Sequence, residues 1–239
     1  MTQWCTTDPA LKTFSGRAPV FPIPNLILFP HSAVPIHIFE PRYRKMTADV
    51  LDGERLIAIG PLPSQAEPAG ATVLSNSPDA NSPMLGVGRI VAHERLDDGR
   101  YMLVLRGVAR GRLIRVEAEA DLPYRVGQIE LCPDCVPATA DFNRRTRAEE
   151  IASLYCKLFP GVEFQRLVQQ ALAEDLPLGS VCDVIASALP IKPEIAQLFL
   201  DERNSDLRSQ MLWQLLSRME PSPAVAMALK QFPPGFSCN

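Results

Sequence analysis

The pattern of apolar and polar positions near the start of the chain predicts two short strands followed by a helix. Residues 21–46 read FPIPNLILFPHSAVPIHIFEPRYRKM, in which alternating apolar positions give way to a helical period. Prolines at positions 22, 24, 30 and 35 lack the N–H of a central ladder, so these prolines are assigned to strand ends, bulges or exposed edges. The two strand faces are formed by Ile23, Ile27 and Phe29, and by Val34, Ile36 and Ile38.

The helix is predicted to begin at Pro41, because proline fits the first helical turn, where its missing N–H costs nothing. Asp52-Gly53 is the stop signal. The apolar face repeats at helical spacing through Tyr43, Met46, Thr47, Val50 and Leu51.

The junction of strand and helix, Glu40-Pro41-Arg42-Tyr43, is interpreted as a structural motif. A carboxylate beside a helix N-terminus is stabilising, and Arg42 or Arg44 can clamp Glu40 across the corner. This role accounts for the motif without a ligand.

Strand signals continue from residue 55 to residue 131. RLIAIG predicts a buried strand, and LGVGRIVAHERL and RYMLVLRG flank an Asp98-Gly99 turn as a hairpin. Two further strands are predicted in GVARGRLIRVEAEA and YRVGQIELC. Because no crossover helix separates these strands, they indicate a small, mostly antiparallel, barrel-like sheet. Residues 61–83, rich in Pro, Ser, Ala and Asn, are predicted to form a long loop or insertion.

The composition changes near residue 139, after which helical periods replace the strands. Helices are predicted over 142–158 and 164–173, then in LGSVCDVIASAL and PEIAQLFLD, and finally after the N-cap signal Asn204-Ser205. The fold class is therefore α+β. The predicted division is a flexible arm over 1–18, a strand-rich region over 19–138, a helical region over 139–220 and a tail over 221–239.

Composition and charge narrow the function classes. Of the 239 residues, 46% are hydrophobic and 21% charged, which is ordinary for a globular protein. The net charge of −3 gives no broad field for phosphates or anionic lipid, so nucleic acid and membrane partners are not favoured. The chain offers neither a signal-peptide pattern nor an apolar run of membrane-spanning length, and six cysteines are too few for a disulfide scaffold. These features predict a cytoplasmic location.

The LFP and HIFEPRYRKM stretches, followed by GVGRI and YMLVLRGVARGRLIRV, resemble the N-terminal, substrate-binding domain of Lon proteases. The C-terminal ALPIKPEIAQLFLDERNSDLRSQMLWQLL is similar to the helical half of that domain. The resemblance implies a PUA-like pseudo-barrel of mostly antiparallel strands, followed by a helical bundle. It also implies a bacterial-type protein that binds unfolded or apolar polypeptides, with a protease or chaperone as a further partner.

Catalysis and cofactors are not expected. A phosphate-binding loop ending in Gly-Lys-Ser/Thr cannot be built, because the sequence contains no Gly-Lys pair. The length also leaves no room for a serine–lysine peptidase domain. The resemblance therefore implies a recognition module without the ATPase and peptidase of whole Lon proteases.

Apolar residues before the second strand are the candidates for peptide binding. An extended peptide can add to a sheet edge while its side chains enter apolar pockets. Leu26, Leu28 and Phe29 are predicted to form the groove floor, with the 61–83 loop as a lid. Core packing is the alternative interpretation for all three residues.

Two other chemistries remain as alternatives. Cys132-Pro-Asp-Cys135 is a CxxC pair that can ligate metal or cycle as a dithiol, although no second CxxC or nearby histidine completes a zinc site. An incidental turn is the competing interpretation. An RNA-binding surface could be formed by the arginine-rich hairpin, Arg100, Arg106, Arg110, Arg112 and Arg115. Acidic residues follow this hairpin directly, which favours a charge-balanced sheet face instead.

Overall fold

The computed structural model describes residues 8–62, 84–117, 121–160 and 163–220. The long loop predicted for 61–83 falls outside these residues from position 63 onward, as do the tail 221–239 and residues 1–7 of the arm. In chain order the described elements are α1 (Pro9–Lys12), β1 (Arg17–Phe21), β2 (Ala33–Ile38), α2 (Pro41–Leu51), β3 (Leu56–Ile59), β4 (Met84–Arg95), β5 (Tyr101–Glu117), β6 (Arg125–Leu131), α3 (Arg144–Leu158), α4 (Glu163–Ala173), α5 (Leu178–Ala188), α6 (Pro193–Asp201) and α7 (Ser205–Arg218). Within the described ranges, no helix combines the length and apolar character needed to cross a bilayer.

The chain divides into two compact units, a sheet unit and a helical unit. The sheet unit extends to Pro133 and also takes in α6, whereas the helical unit comprises 134–192 and the chain from residue 202 onward. The sheet unit thus includes a segment that the sequence pattern assigned to the helical region. Hydrogen bonds explain this grouping: the Met84 N–H donates to the Asp201 carboxylate at 2.7 Å, and the Gln197 amide donates to the Met84 carbonyl at 3.0 Å.

The sheet unit is the expected pseudo-barrel of mostly antiparallel strands. Its strand order is β2-β5-β4-β3-β1-β6, and β5 also pairs with β6, which closes the sheet on itself. Only the β1–β3 pairing is parallel among the described strands. The first half of β5 pairs with β2, and its second half pairs with β6. The two strands predicted for this segment therefore form one continuous strand of 17 residues.

Helix α2 and strand β2 follow their sequence patterns. The helix begins at Pro41, as predicted, and buries Tyr43, Met46, Thr47 and Val50. Strand β2 buries Ile36 and Ile38 on the predicted face. Both elements pack into one core cluster with Ile57 and Ile59 of β3, while Leu56 and Ala58 point into a second cluster on the opposite face of the strand.

The strand predicted through Ile23, Ile27 and Phe29 is wrong. Strand β1 ends at Phe21, and residues 22–32 have no strand geometry. Two prolines remove ladder donors at the start of this segment, and Asn25 has a positive φ of 63°. The regular apolar spacing reflects burial of an irregular segment, since Leu28 and Phe29 are 0% and 1% exposed.

The irregular segment crosses β4 and β5 at two glycines. A Cβ on Gly86 would lie 2.1 Å from the Leu28 carbonyl oxygen, and a Cβ on Gly107 would lie 1.9 Å from the Phe29 carbonyl oxygen. The His31 N–H donates to the Gly107 carbonyl at 2.9 Å. Glycine is required here because only a residue without Cβ permits such a close backbone approach.

The segment after residue 8 is held on the sheet unit. The Asp8 carboxylate, 4% exposed, accepts hydrogen bonds from Arg89 at 3.0 Å and from Arg106 at 2.7 Å. It also caps α1 by accepting from the Ala10 N–H at 3.0 Å. The described part of the predicted arm is therefore fixed by charge, and β1 already begins at Arg17.

The helical unit is built around α5. Nine of the eleven residues of α5 are buried, and α3, α4 and α7 pack against this helix. Helix α7 begins as predicted, because the Asn204 side-chain oxygen accepts from the N–H groups of Asp206 at 3.0 Å and Leu207 at 3.2 Å.

Candidate functional site

A groove of about 720 Å³ opens on the sheet unit. Its volume lies in the range of typical ligand pockets, about 300–1,000 Å³. The walls come from the end of β1 and the residues after it, from β2 and the start of α2, and from the entry into β6. The groove is lined by Val20, Phe21, Pro22, Ile23, Pro24, Ile36, His37, Phe39, Glu40, Arg42, Tyr43, Leu62, Leu122, Pro123, Tyr124 and Arg125.

Aromatic side chains form the floor and one rim. The rings of Phe21 and Tyr43 lie 4.3 Å apart at 44° and are almost fully buried. Phe39 is 60% exposed, and its ring lies 6.0 Å from that of His37. The exposed Phe39 ring therefore adds apolar contact area at the rim of the groove.

Proline makes the walls rigid. Pro22 and Pro24 follow β1, and Pro123 precedes β6, so three lining positions have a fixed φ and no N–H donor. A binding surface built from such residues loses little conformational entropy when a ligand arrives.

The groove runs along the outer edge of a strand. Strand β2 pairs with β5 on one side, and the described residues provide no strand partner on the other. Pro35 stands in the middle of β2 and has no N–H, which suits an edge position, as the sequence predicted. Alternate residues of β2 direct their backbone N–H and C=O groups away from β5, and these outward groups are available to pair with an added strand.

A tyrosine–aspartate hydrogen bond ties the third wall to α2. The Tyr124 hydroxyl donates to the Asp49 carboxylate at 2.8 Å, and Lys45 donates to the same carboxylate. Burial alone would raise the pKa of Asp49, but the hydrogen bonds from Lys45 and Tyr124 outweigh it and lower the pKa below 3.8. The ionised carboxylate therefore fixes the position of Tyr124.

Paired charges occupy the rim at the start of α2. Arg42 donates to Glu40 through Nε at 2.9 Å and contacts it through a terminal nitrogen at 2.8 Å. The same guanidinium lies 4.5 Å from the centre of the Tyr43 ring. Burial raises the pKa of Tyr43, with Arg42 opposing and Glu40 adding to the shift.

Residues 17–218 match the family model of the substrate-binding domain of ATP-dependent protease La (LON). The chain belongs to this family. Among curated relatives, "Lon protease 2" of Sorangium cellulosum is 30% identical over 141 residues, which cover 54% of this chain and 16% of that protein. "Lon protease 2" of Bdellovibrio bacteriovorus is 26% identical over 214 residues, covering 88% of this chain and 25% of that protein. The chain thus spans a quarter or less of the length of these relatives.

Solved structures share the fold of this LON substrate-binding domain. A Lon N-terminal domain protein from Xanthomonas campestris is 20% identical with a TM-score of 0.56, covering 85% of this chain and 98% of that one. The N-terminal domain of a Mycobacterium avium complex Lon protease is 16% identical with a TM-score of 0.59, covering 84% and 98%. These matches and the described elements confirm the predicted α+β fold, and the family assigns the domain a substrate-recognition role that is not catalytic.

The predicted floor residues of the LON substrate-binding domain lie elsewhere. Leu28 is part of the core cluster beneath α2, and Leu26 is partly buried against that cluster. Phe29 is 1% exposed, where its carbonyl meets Gly107. Because none of the three lines the groove, their burial favours the core-packing interpretation.

The strand–helix motif has the geometry expected of a structural role and also borders the groove. Glu40 pairs with Arg42, while Arg44 donates to the Asp98 carbonyl at 3.2 Å. The Glu40 side chain accepts no capping hydrogen bond from α2. The sequence analysis did not identify Phe39 or Arg125 as groove residues. For Phe39 a signal was present, because this phenylalanine follows the buried strand positions and directly precedes the polar start of α2.

Among the described residues, neither Cys132 nor Cys135 belongs to a group of three or more His, Cys, Asp or Glu side chains placed to hold a metal ion. Cys132 is buried, with its thiol directed at the Glu130 carbonyl at 3.5 Å, whereas Cys135 is exposed. In the helical unit, the Cys135 N–H donates to the Arg203 carbonyl at 2.8 Å and the Ser205 N–H donates to the Cys135 carbonyl at 3.1 Å. The backbone of Cys135 thus fixes the start of α7.

Most arginines of the predicted RNA-binding hairpin are engaged within the protein. Arg100 pairs with Asp98 at 2.6 Å, and Arg115 pairs with Glu117 at 2.8 Å. Arg106 binds Asp8, and the buried Arg110 donates to the Leu200 carbonyl at 2.9 Å. The Nε of Arg112 is buried. These contacts leave little positive charge on the hairpin for a phosphate backbone.

Proposed function

We propose that this protein binds unfolded or apolar polypeptide segments in the groove, in extended conformation, along the outer edge of β2. The observation that carries the proposal is the coincidence of an unpaired strand edge, among the described residues, with an exposed aromatic side chain on the rim of a groove lined largely by aromatic, aliphatic and proline residues. Membership of the LON substrate-binding family supports a polypeptide as the ligand.

The two features have separate roles in binding. Backbone hydrogen bonds to the outward-facing residues of β2 would give affinity without regard to sequence, as in other cases of strand addition. Alternate side chains of the bound segment would point toward Phe21 and Tyr43, where apolar surface is buried, while Phe39 covers them from the rim. Apolar segments exposed in unfolded proteins meet both requirements, and micromolar affinity suits such a surface.

A role as an adaptor in protein quality control extends this proposal. In this role the groove would hold polypeptides for delivery to a protease or chaperone. The predicted cytoplasmic location belongs to the same proposal.

Fluorescence anisotropy with a labelled peptide of alternating apolar residues tests the groove. Phe39→Ala should weaken binding on the order of tenfold, since truncation of an aromatic anchor costs more than about 1 kcal/mol. Leu198→Ala, which removes another exposed apolar side chain from α6, is the matched control and should leave the affinity unchanged.

A second peptide tests addition to the strand edge. Two versions of the peptide are N-methylated at alternate amides, one on the amides that face β2 and one on the amides that face away from it. Only the first version lacks the donors for a new ladder, so only this version should bind more weakly. The proposal fails if the chain shows no saturable binding, or if Phe39→Ala and Leu198→Ala bind equally well.

A further inference from the structure

The charges that line the groove do not balance. Glu40 and Arg42 neutralise each other in an ion pair of 2.8 Å. The remaining charged lining residue is Arg125, at the start of β6. With His37 counted as neutral, the groove therefore carries one net positive charge, although the whole chain carries −3.

Arg125 has no counter-ion in the part of the chain that the structure describes, and its side chain is exposed. Several other arginines of the sheet unit form ion pairs, for example Arg17 with Glu117 at 2.7 Å and Arg89 with Asp8 at 3.0 Å. Arg125 lies opposite Val20 in the β1–β6 ladder, so its backbone is fixed at the wall of the groove. An arginine held in this way has donors available for a ligand carboxylate.

We propose that the groove prefers apolar polypeptide segments that carry an acidic residue beside the apolar ones, and that Arg125 is the residue that binds the carboxylate. This inference rests on the proposed function and specifies its substrate class. The bound segment would place apolar side chains over Phe21 and Tyr43 and an Asp or Glu side chain at the Arg125 wall. Basic residues at the same place would be disfavoured by like charge.

The expected preference is modest, because Arg125 is exposed to solvent. Exposed arginine–carboxylate pairs change an equilibrium constant by roughly two- to fivefold. The preference should shrink as salt rises, since screening acts over about 8 Å at physiological ionic strength. The chain's net charge of −3 repels an acidic peptide only weakly, because charges that lie farther from the groove than this distance are screened by salt. The charge of Arg125 therefore decides the preference of the groove.

Anisotropy titrations with three matched peptides test the inference on the full chain. The peptides share one apolar core and carry Asp, Asn or Lys at the flanking position. The wild type should bind the Asp peptide two- to fivefold tighter than the Asn peptide, and the Lys peptide most weakly. In Arg125→Gln the ratio of Asp to Asn affinity should fall to about one. Arg95→Gln removes the same charge from an exposed position on β4 outside the groove and should retain the wild-type ratio.

The outcomes separate this inference from the proposed function. Equal binding of the Asp and Asn peptides by the wild type, or an unchanged ratio in Arg125→Gln, overturns the role of Arg125 while leaving the groove intact, provided that Phe39→Ala still weakens both peptides. Absence of saturable binding by every peptide overturns the inference together with the proposed function.

Discussion

Arg208 of α7 and Asp183 of α5 form an ion pair inside the helical unit, with Nε 3.2 Å from Oδ1 and side chains only 0% and 2% exposed. A second carboxylate, that of Asp134, accepts a hydrogen bond from a terminal nitrogen of the same guanidinium. The Glu202 carbonyl accepts another at 2.6 Å. Gly179 leaves the space for this cluster, because a Cβ there would lie 2.1 Å from Asp134 and 2.5 Å from Arg208.

Arg208→Met should destabilise the protein by about 3–5 kcal/mol, because the substitution leaves buried Asp183 without its counter-charge. Urea unfolding followed by far-ultraviolet circular dichroism measures the loss. Arg218→Met removes an exposed arginine from the end of the same helix and should stay within about 0.5 kcal/mol of the wild type. Equal stabilities of the two variants would refute a structural role for Arg208.

Crowding at Gly107 gives a second prediction, for the sheet unit. Gly107→Ala should destabilise the protein by about 3 kcal/mol, because the added methyl group would lie 1.9 Å from the Phe29 carbonyl oxygen and must displace backbone. The same urea titration measures the change in midpoint.

The control for this substitution is Gly53→Ala. A Cβ on Gly53 has its nearest neighbour at 3.7 Å, an ordinary contact, and the residue has no positive φ. Its stability should match the wild type within about 0.5 kcal/mol. If Gly107→Ala were equally neutral, the crossing of β5 by the Leu28–His31 segment would not be tight.

Local signals determined the elements that the sequence predicted well. Pro41 marks the first turn of α2, Asn204 caps α7, and alternation through Ile36 and Ile38 marks the buried face of β2. Each of these depends on residues within one turn or one strand. Periodicity and capping act over that range, so one sequence suffices to recognise them.

Long-range packing decided the features that the sequence did not predict. The spacing of Ile23 and Ile27 is compatible with a strand, but the segment is irregular because it is fitted against glycines some sixty to eighty positions away. Arg208 lies between apolar positions of α7, where nothing local indicates that Asp183 will neutralise it. The contact of Asp134, inside the Cys132-Pro-Asp-Cys135 motif, with Arg208 was not predicted for the same reason.

The residues of the groove also could not be predicted from local sequence patterns. Phe39 and Arg125 are separated by more than eighty positions and are brought to one groove by the pairing of β1 with β6 and of β2 with β5. Resemblance to the family supplied the class of function, whereas the residues at the rim depend on strand register. Register is set by the closed sheet as a whole.

Asp8 gives a prediction with a defined pH dependence. Burial alone would raise the pKa of Asp8, but the Ala10 N–H, the hydrogen bond from Arg106 and the charge of Arg89 together lower the pKa below 3.8. Since the folded-state pKa is the lower one, the stabilisation is complete above pH 3.8 and is lost as the pH falls through the lowered value.

Asp8→Asn should therefore cost about 1–2 kcal/mol at pH 7, a value reduced by the partial exposure of both arginines. Urea titrations of wild type and variant between pH 7 and pH 3 should show this difference constant down to about pH 4 and shrinking below it. Asp97→Asn, in an exposed turn, is the control and should show no such difference. Protonation of Asp8 abolishes its ion pairs with Arg89 and Arg106 as fully as the change to Asn does. If the difference in unfolding free energy between wild type and Asp8→Asn persists unchanged at pH 3, the charge of the Asp8 carboxylate does not hold this segment.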